Sequence, residues 1–372
     1  MAAAMLWLAL PAAPARAADL GELGLDDGEL RSLLRQLDEE YAGYGGGFSL
    51  TEVWEEGAGA GLWPRLTALF RSLLLGELSR STALLGRLLA LALLSLVLTL
   101  LGDSLGGGVA ALSSWVVSLL LLSLALTSFA QCMREASAAV EQASQLLFIL
   151  LPLLMPLLAA LGGVGTVALI SPALLFCLNL LMALVRDAVF PLIWCCALLR
   201  LSVQLAPAFD FSRLADLCRD AALGLLGVVT TVFVSFLSLS GLSAAGRDGV
   251  AVKAAKTASS AFIPLVGRTL ADSLDSVLGT VLILKGAVGL TGGLALLLIC
   301  GAPALRLLVQ ALLFRLTGAL CEPLGDRRLA AALSGIGRSL TLLFAAVAVS
   351  GLFAFFALAL TVALGSVTMM MR

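Results

Sequence analysis

The sequence predicts an all-α, polytopic membrane protein with about seven to nine transmembrane or re-entrant helices and amphipathic helices at the membrane interface. Of its 372 residues, 60% are hydrophobic and only 13% are charged, whereas ordinary soluble domains carry about 25% charged residues. Mean hydropathy is +1.07, and runs of Leu, Ala, Val and Gly long enough to cross a bilayer recur along the chain. Composition and run length together predict this fold class.

The first eighty residues precede the predicted membrane domain and divide into two regions. Residues 1–18 are predicted to be a signal peptide, because a short apolar core leads to a small-x-small cleavage site at Ala15-Arg16-Ala17. Residues 19–80 are predicted to form a short extracytoplasmic helical segment, and residues 81–372 the polytopic membrane domain. The segment has few large apolar groups, so we expect it to pack on the membrane or on a partner. Its predicted helices cover 26–41, 51–56 and 64–75.

Apolar runs of spanning length follow one another from residue 83 to residue 364. Two polar stretches, 131–145 and 207–221, predict helices on the membrane surface. The forty apolar residues of 146–185 predict two short spans that reverse at a cluster of glycines. Another apolar stretch, 287–320, predicts either two short spans or one broken hairpin. The remaining predicted spans are 83–101, 109–130, 188–205, 223–242 and 339–364.

Two arguments about orientation conflict. Lys and Arg are enriched in 246–286 and in 321–339, and such loops normally face the cytoplasm. A cleaved signal followed by six spans would instead place 246–286 outside the cytoplasm. Either one apolar segment is re-entrant, or the chain start differs, or 246–286 escapes the loop rule because it lies within the bundle.

Residues 246–293 form a polar core between apolar spans, where charges are normally solvated, paired or functional. Leucines and valines after residue 265 fall at helical spacing, and charged groups share another face. A helix–break–helix shape is predicted around Pro264, with Phe262 and Gly267 shaping the break. One interpretation is an amphipathic pair lying in the headgroups; the other is a polar element folded into the bundle. The candidate site residues are Lys253, Lys256, Arg268, Asp272, Asp275 and Lys285.

The same stretch carries a family resemblance. The run DGVAVKAAKTASSAFIPLVGRTLADSLDSVLGTVLILKGAVGLTGG resembles the core signature of the stage III sporulation protein AE family of endospore-forming bacteria. The family commonly has an asparagine where this chain has Ala261, and a glycine where it has Arg268. The general layout of a signal, a short polar segment and many spans is similar too.

The resemblance implies a non-enzymatic membrane subunit of a multiprotein, secretion-like channel complex that is needed for endospore formation. It implies a multi-pass protein of the mother-cell membrane facing the forespore. The expected partners are the lipid bilayer, other membrane proteins of the same sporulation operon and a forespore-side partner. The polar core would line a path or dock a neighbouring subunit.

Other function classes are disfavoured by the residues themselves. Histidine is absent, which removes the common nucleophile pairs and metal ligands. No phosphate loop or dinucleotide turn occurs, and no basic patch with interleaved aromatics suggests nucleic acid. Asp272 and Asp275 lie on one short helix beside Arg268, which favours charge pairing over catalysis. We therefore predict no enzyme activity and no cofactor. A secondary transporter or permease for a small solute remains the alternative, because proline and glycine interrupt several spans.

Overall fold

The structure, a computed structural model, describes residues 28–41, 49–56, 67–68, 71–79, 107–160, 164–205, 211–260, 267–323 and 327–370, with scattered helical positions between 86 and 97. Nearly all of these residues are helical, and no strand occurs among them. The helices are α1 (Gly28–Tyr41), α2 (Leu50–Glu56), α3 (Gly107–Ala160), α4 (Val164–Leu184), α5 (Phe190–Leu205), α6 (Ser212–Ser260), α7 (Gly267–Cys321) and α8 (Arg327–Met370). A single π-helical turn, Val185–Val189, joins α4 to α5.

Within these ranges, five helical stretches are long and apolar enough to cross a membrane by length and composition. The predicted all-helical membrane protein is therefore confirmed. The span count of about seven to nine and the re-entrant helices remain predictions, and the predicted span 83–101 lies largely outside the described residues. The five stretches are Leu119–Ala160, Pro172–Ser202, Ser212–Leu239, Val281–Cys321 and Leu329–Ala363.

Helix α3 joins three segments that the sequence predicts to be separate. It continues through the polar stretch 131–145, which was predicted to be a surface helix, and through Pro152 and Pro156. Small residues inside the polar stretch, Ala136, Ala139 and Ala143, are buried at helical spacing. Both prolines lie on the exposed side of the helix. The polar stretch thus has its own packing face, and the helix has no reason to end there.

The helical structure also continues at two places where the sequence predicts a break. Arg186 and Asp187, between the predicted spans 146–185 and 188–205, form an ion pair with 3.0 Å between Nε and Oδ1, and they lie in the π-helical turn instead of in a break. In 287–320, neither two short spans nor a hairpin forms, because α7 is continuous through Pro303. The predicted surface helix 207–221 forms, from Ser212, the first turns of α6.

Contacts between the long helices fix their directions. Arg306 of α7 lies beside Glu135 of α3, and further back along α7 a Cβ at Gly292 would approach both Leu150 and Leu358. Gly318 and Cys300 of α7 meet Ser334 and Gly351 of α8 respectively. Helix α7 is therefore antiparallel to α3 and to α8. Phe233 of α6 packs on Phe353 of α8, with 4.4 Å between ring centroids.

The N-terminal helices pack on this bundle. Leu30, Leu34 and Leu37 of α1 lie at helical spacing and are buried. Asp38 caps α2, since its carboxylate accepts from the backbone N–H of Leu50 at 2.6 Å and of Thr51 at 3.0 Å. The Tyr41 hydroxyl donates to the carbonyl of Leu298 in α7 at 3.3 Å. We expected this segment to pack on the membrane or on a partner, but its described helices pack on other helices of the same chain.

Candidate functional site

Three charged side chains from separate parts of the chain meet beside α7. Arg306 Nε donates to Glu77 Oε2 at 3.0 Å, and Arg306 Nη1 lies 3.1 Å from Glu135 Oε2. Only 8% of the Glu77 side chain is exposed, and about a quarter of the other two. Gln131 donates to the second oxygen of Glu135 at 3.1 Å. Burial of a carboxylate to this degree requires a partner of opposite charge, and Arg306 serves two.

A second polar contact between α3 and α7 lies one turn away. The thiol of Cys132 donates to the Gln310 side-chain oxygen, and Cys132 is fully buried. Cys132 and Glu135 are three residues apart and so share one face of α3. The charged part of α3 is therefore fastened to α7, which explains why it stays helical within the bundle instead of turning onto the membrane surface.

A polar groove opens on the flank of the bundle between α3 and α4. Its volume is about 220 Å³. Arg186 and Asp187, at its edge, expose 45% and 63% of their side-chain surface, and Glu141 interacts electrostatically with Arg186. The neighbouring π-helical turn is a feature that often marks functional sites. The groove is lined by Val140, Glu141, Ser144, Gln145, Phe148, Asn179, Met182, Ala183 and Arg186.

The contacts that α3 makes on either side of this groove show where the groove lies along the bundle. On α3, the lining residues lie between Glu135, opposite Arg306, and Leu150, opposite Gly292. The intervening part of α7 is apolar and faces the middle of the apolar stretch of α8, because Cys300 contacts Gly351. Exposed charged groups therefore lie at the same level as the most apolar parts of the neighbouring helices.

The predicted site residues fall in two helices. Lys253 and Lys256 lie near the end of α6, which stops at Ser260, and Arg268, Asp272 and Asp275 lie in the first turns of α7, which begins at Gly267. Phe262 and Pro264 lie outside the described residues, as do the side chains of the five charged positions. Their proposed role and the shape of the break remain predictions.

Lys285 is the candidate site residue whose surroundings are described. It is only 2% exposed, and its ammonium group has no hydrogen-bond partner within the described part of the chain. Its neighbours Leu284 and Val288 are buried core residues. Removing an ammonium group from water costs several kcal/mol, so the burial of Lys285 opposes the preference of its charge for water.

Sequence reasoning did not select the residues that the structure brings together. Glu77 was placed in the extracytoplasmic segment, Glu135 and Glu141 in a surface helix, Arg186 between two spans, and Arg306 within the apolar stretch 287–320. The signal that could have found them is the occurrence of charged residues inside or between apolar runs, each of which marks a functional candidate by default.

The fold and these polar contacts define an all-helical membrane protein that has five stretches of spanning length among its described residues, with charged groups inside and on the flank of its bundle. The sequence model of the family Stage III sporulation protein AE matches residues 50–365. The Stage III sporulation protein AE of Bacillus subtilis (strain 168) is 34% identical over 308 residues, which cover 82% of this chain and 77% of that protein. No solved structure matches. The chain belongs to the stage III sporulation protein AE family, and this membership supports a role in sporulation.

Proposed function

We propose that the protein is a non-enzymatic membrane subunit of a multiprotein, secretion-like channel complex between mother cell and forespore, needed for endospore formation. It would reside in the mother-cell membrane facing the forespore. Its partners would be the bilayer, other membrane proteins of the same operon and a forespore-side partner. The observation that supports this proposal is the set of exposed charged groups on the flank of the bundle, Arg186, Asp187 and Glu141. They lie at the same level as the apolar segments of the neighbouring helices.

The exposed charged groups on that flank lie at the middle of apolar stretches. Arg186 and Asp187 lie at the middle of the stretch Pro172–Ser202, and Glu141 at the middle of Leu119–Ala160. Charged side chains in hydrocarbon are costly and almost always face protein or a water-filled path. These groups are exposed among the described residues, so contact with another subunit, or a water-filled path between subunits, would remove this cost. That is what supports the proposal.

A direct test removes the charges without changing the net charge. The double variant Arg186→Leu, Asp187→Leu should reach the membrane and remain folded, because two exposed charges become apolar. It should lose co-purification with the other membrane proteins of the operon and lower spore yield by at least tenfold. The control is Phe176→Leu, an exposed apolar position in the same apolar stretch, which should leave both unchanged. Unchanged co-purification in the double variant would contradict the proposal.

The polar core is expected to serve the same assembly. Asp272→Ala should block sporulation while the protein still reaches the membrane. Normal spore yield from that variant would reject the core as a working part.

The alternative, a secondary transporter or permease for a small solute, predicts activity from the isolated protein. Purified protein in liposomes distinguishes the two functions. Solute uptake by this protein alone would favour the transporter, whereas stable co-purification with partners and no autonomous flux favours the subunit.

A further inference from the structure

Three arginines from three helices converge on one turn of α8. The stem of Arg200, in α5, lies against Gly335, where an added Cβ would be 3.2 Å from Arg200 Cδ. The stem of Arg315, in α7, lies against Gly337, where an added Cβ would be 2.7 Å from Arg315 Cγ. Arg338 is the next residue on the same turn. The two glycines thus leave space in which the aliphatic parts of neighbouring arginines are held.

The charges at this turn do not balance. Arg200 Nη2 pairs with Asp216 Oδ1 of α6 at 2.6 Å, and this is the one ion pair that the cluster makes within the described ranges. Arg338 interacts repulsively with Arg200, Arg219 and Arg315, and attractively with Asp216. Among the described groups that act on Arg338, three are guanidinium groups and one is a carboxylate, so positive charge is in excess at this turn.

The cluster lies where the apolar stretches end. The stretches Pro172–Ser202 and Val281–Cys321 finish just beyond Arg200 and Arg315, and those that begin at Ser212 and Leu329 start shortly before Arg219 and Arg338. All four arginines are within about three helical turns of these ends. Where such stretches cross a bilayer, their ends lie near the lipid headgroups, so the excess positive charge is placed to meet the phosphate layer.

We propose that this arginine cluster (Arg200, Arg219, Arg315 and Arg338) binds the phosphate group of an anionic phospholipid. Guanidinium groups match phosphate oxygens in two-point hydrogen bonds, and basic pockets between spanning helices are suited to lipid headgroups. Free inorganic phosphate shares the chemistry of the group that is bound. The lipid is favoured because the cluster lies at the ends of the spanning stretches and its stems pack on apolar helices. Lipid binding here is independent of assembly with other subunits.

The test is native mass spectrometry of the purified full-length protein, loaded from mixed micelles with either phosphatidylglycerol or phosphatidylcholine. The protein should retain phosphatidylglycerol in preference to phosphatidylcholine. Arg315→Gln and Arg338→Gln should each weaken retention about fivefold, the effect of one cationic side chain near a lipid phosphate. The double variant should weaken it by more than either single one.

Two controls keep the outcome interpretable. Arg134→Gln, at an exposed arginine on α3, should retain the lipid as the unchanged protein does. Arg338→Lys keeps the charge and should lose less than Arg338→Gln, which guards against loss of fold in the glutamine variant. Equal retention of both lipids, unchanged retention in the double glutamine variant, or displacement by millimolar inorganic phosphate would each overturn the proposal.

Discussion

At the scale of single residues, the molecule treats its buried charges in two ways. Arg306 neutralises two carboxylates that come from elements far apart in the sequence, with distances of 3.0 and 3.1 Å. Lys285 is buried as deeply as the core leucines around it, with no hydrogen-bond partner among the described residues. The paired charge of Arg306 contributes to the fold. A buried charge without a partner, as at Lys285, lowers stability, which indicates that it is kept for function.

Loss of Arg306 should destabilise the bundle. In Arg306→Ala, Glu77 and Glu135 become buried carboxylates without a counter-charge, which costs about 3 kcal/mol. The melting temperature in detergent should fall by several degrees. The triple variant Glu77→Leu, Glu135→Leu, Arg306→Met should recover most of that loss, because apolar replacement of a whole buried network is often neutral. A triple variant as unstable as the single one would contradict this account.

Replacement of Lys285 should have opposite effects on stability and on function. Lys285→Met keeps the length of the side chain and removes the buried ammonium group, so the melting temperature should stay the same or rise. Spore yield should fall if the amino group serves the assembled complex. A lower melting temperature with normal spore yield would indicate instead that Lys285 is bound in the fold by a partner. Thermal denaturation and spore counts on the same strains make the comparison.

At the scale of elements, α7 and α8 are held together through glycines. An added Cβ at Gly318 would lie 2.9 Å from the carbonyl oxygen of Ala330, and one at Gly337 would lie 3.0 Å from that of Ala311. These are backbone atoms, which cannot rotate away as a side chain can. The two helices thus approach as closely as small residues permit in membrane bundles.

Alanine at these glycines should therefore be harmful, although alanine favours helices. Gly318→Ala and Gly337→Ala should each destabilise the protein by about 1–3 kcal/mol, the cost of overpacking. Gly286→Ala is the matched control on α7, because an added Cβ there meets nothing within 4 Å. That control should be neutral or stabilising by up to about 1 kcal/mol. The same melting temperature for Gly318→Ala and Gly286→Ala would show that the close approach is not required.

The sequence predicted local features well and long-range ones poorly. The helices predicted over 26–41 and 51–56 form as α1 and α2, and Lys285 was selected because charges between apolar spans are normally solvated, paired or functional. The continuity of α3 could not be predicted. Whether 131–145 lies on the membrane or in the bundle depends on Arg306 and Gln310, and helical periodicity does not reveal partners more than 170 positions away. For the same reason, periodicity could not reveal that Glu77 pairs with Arg306.

At the scale of the whole molecule, the continuity of α7 changes the argument about orientation. Two spans between 286 and 321 would place both charged regions on one side of the membrane. A single helix that crosses once places them on opposite sides. The end with Arg200, Arg315, Arg327, Arg328 and Arg338 then satisfies the preference of Lys and Arg for the cytoplasm. The charged stretch 246–286 would then lie on the other side.

Cysteine labelling from each side of the membrane checks this orientation. In a variant whose native cysteines are replaced by alanine, Glu322→Cys should react with an impermeant maleimide only when the cytoplasmic side is accessible. Ser259→Cys should react from the opposite side. The alanine background without an added cysteine is the control for non-specific labelling. Reaction of both positions from one side would rule out a single crossing by α7.

Helix α7 has 55 residues without an interruption, a length of about 80 Å, and the glycine contacts bind α8 along it. These contacts hold α8 against the part of α7 that contains Pro303, the position at which a helix would otherwise bend most easily. Movement of either helix along this part would therefore have to involve the other.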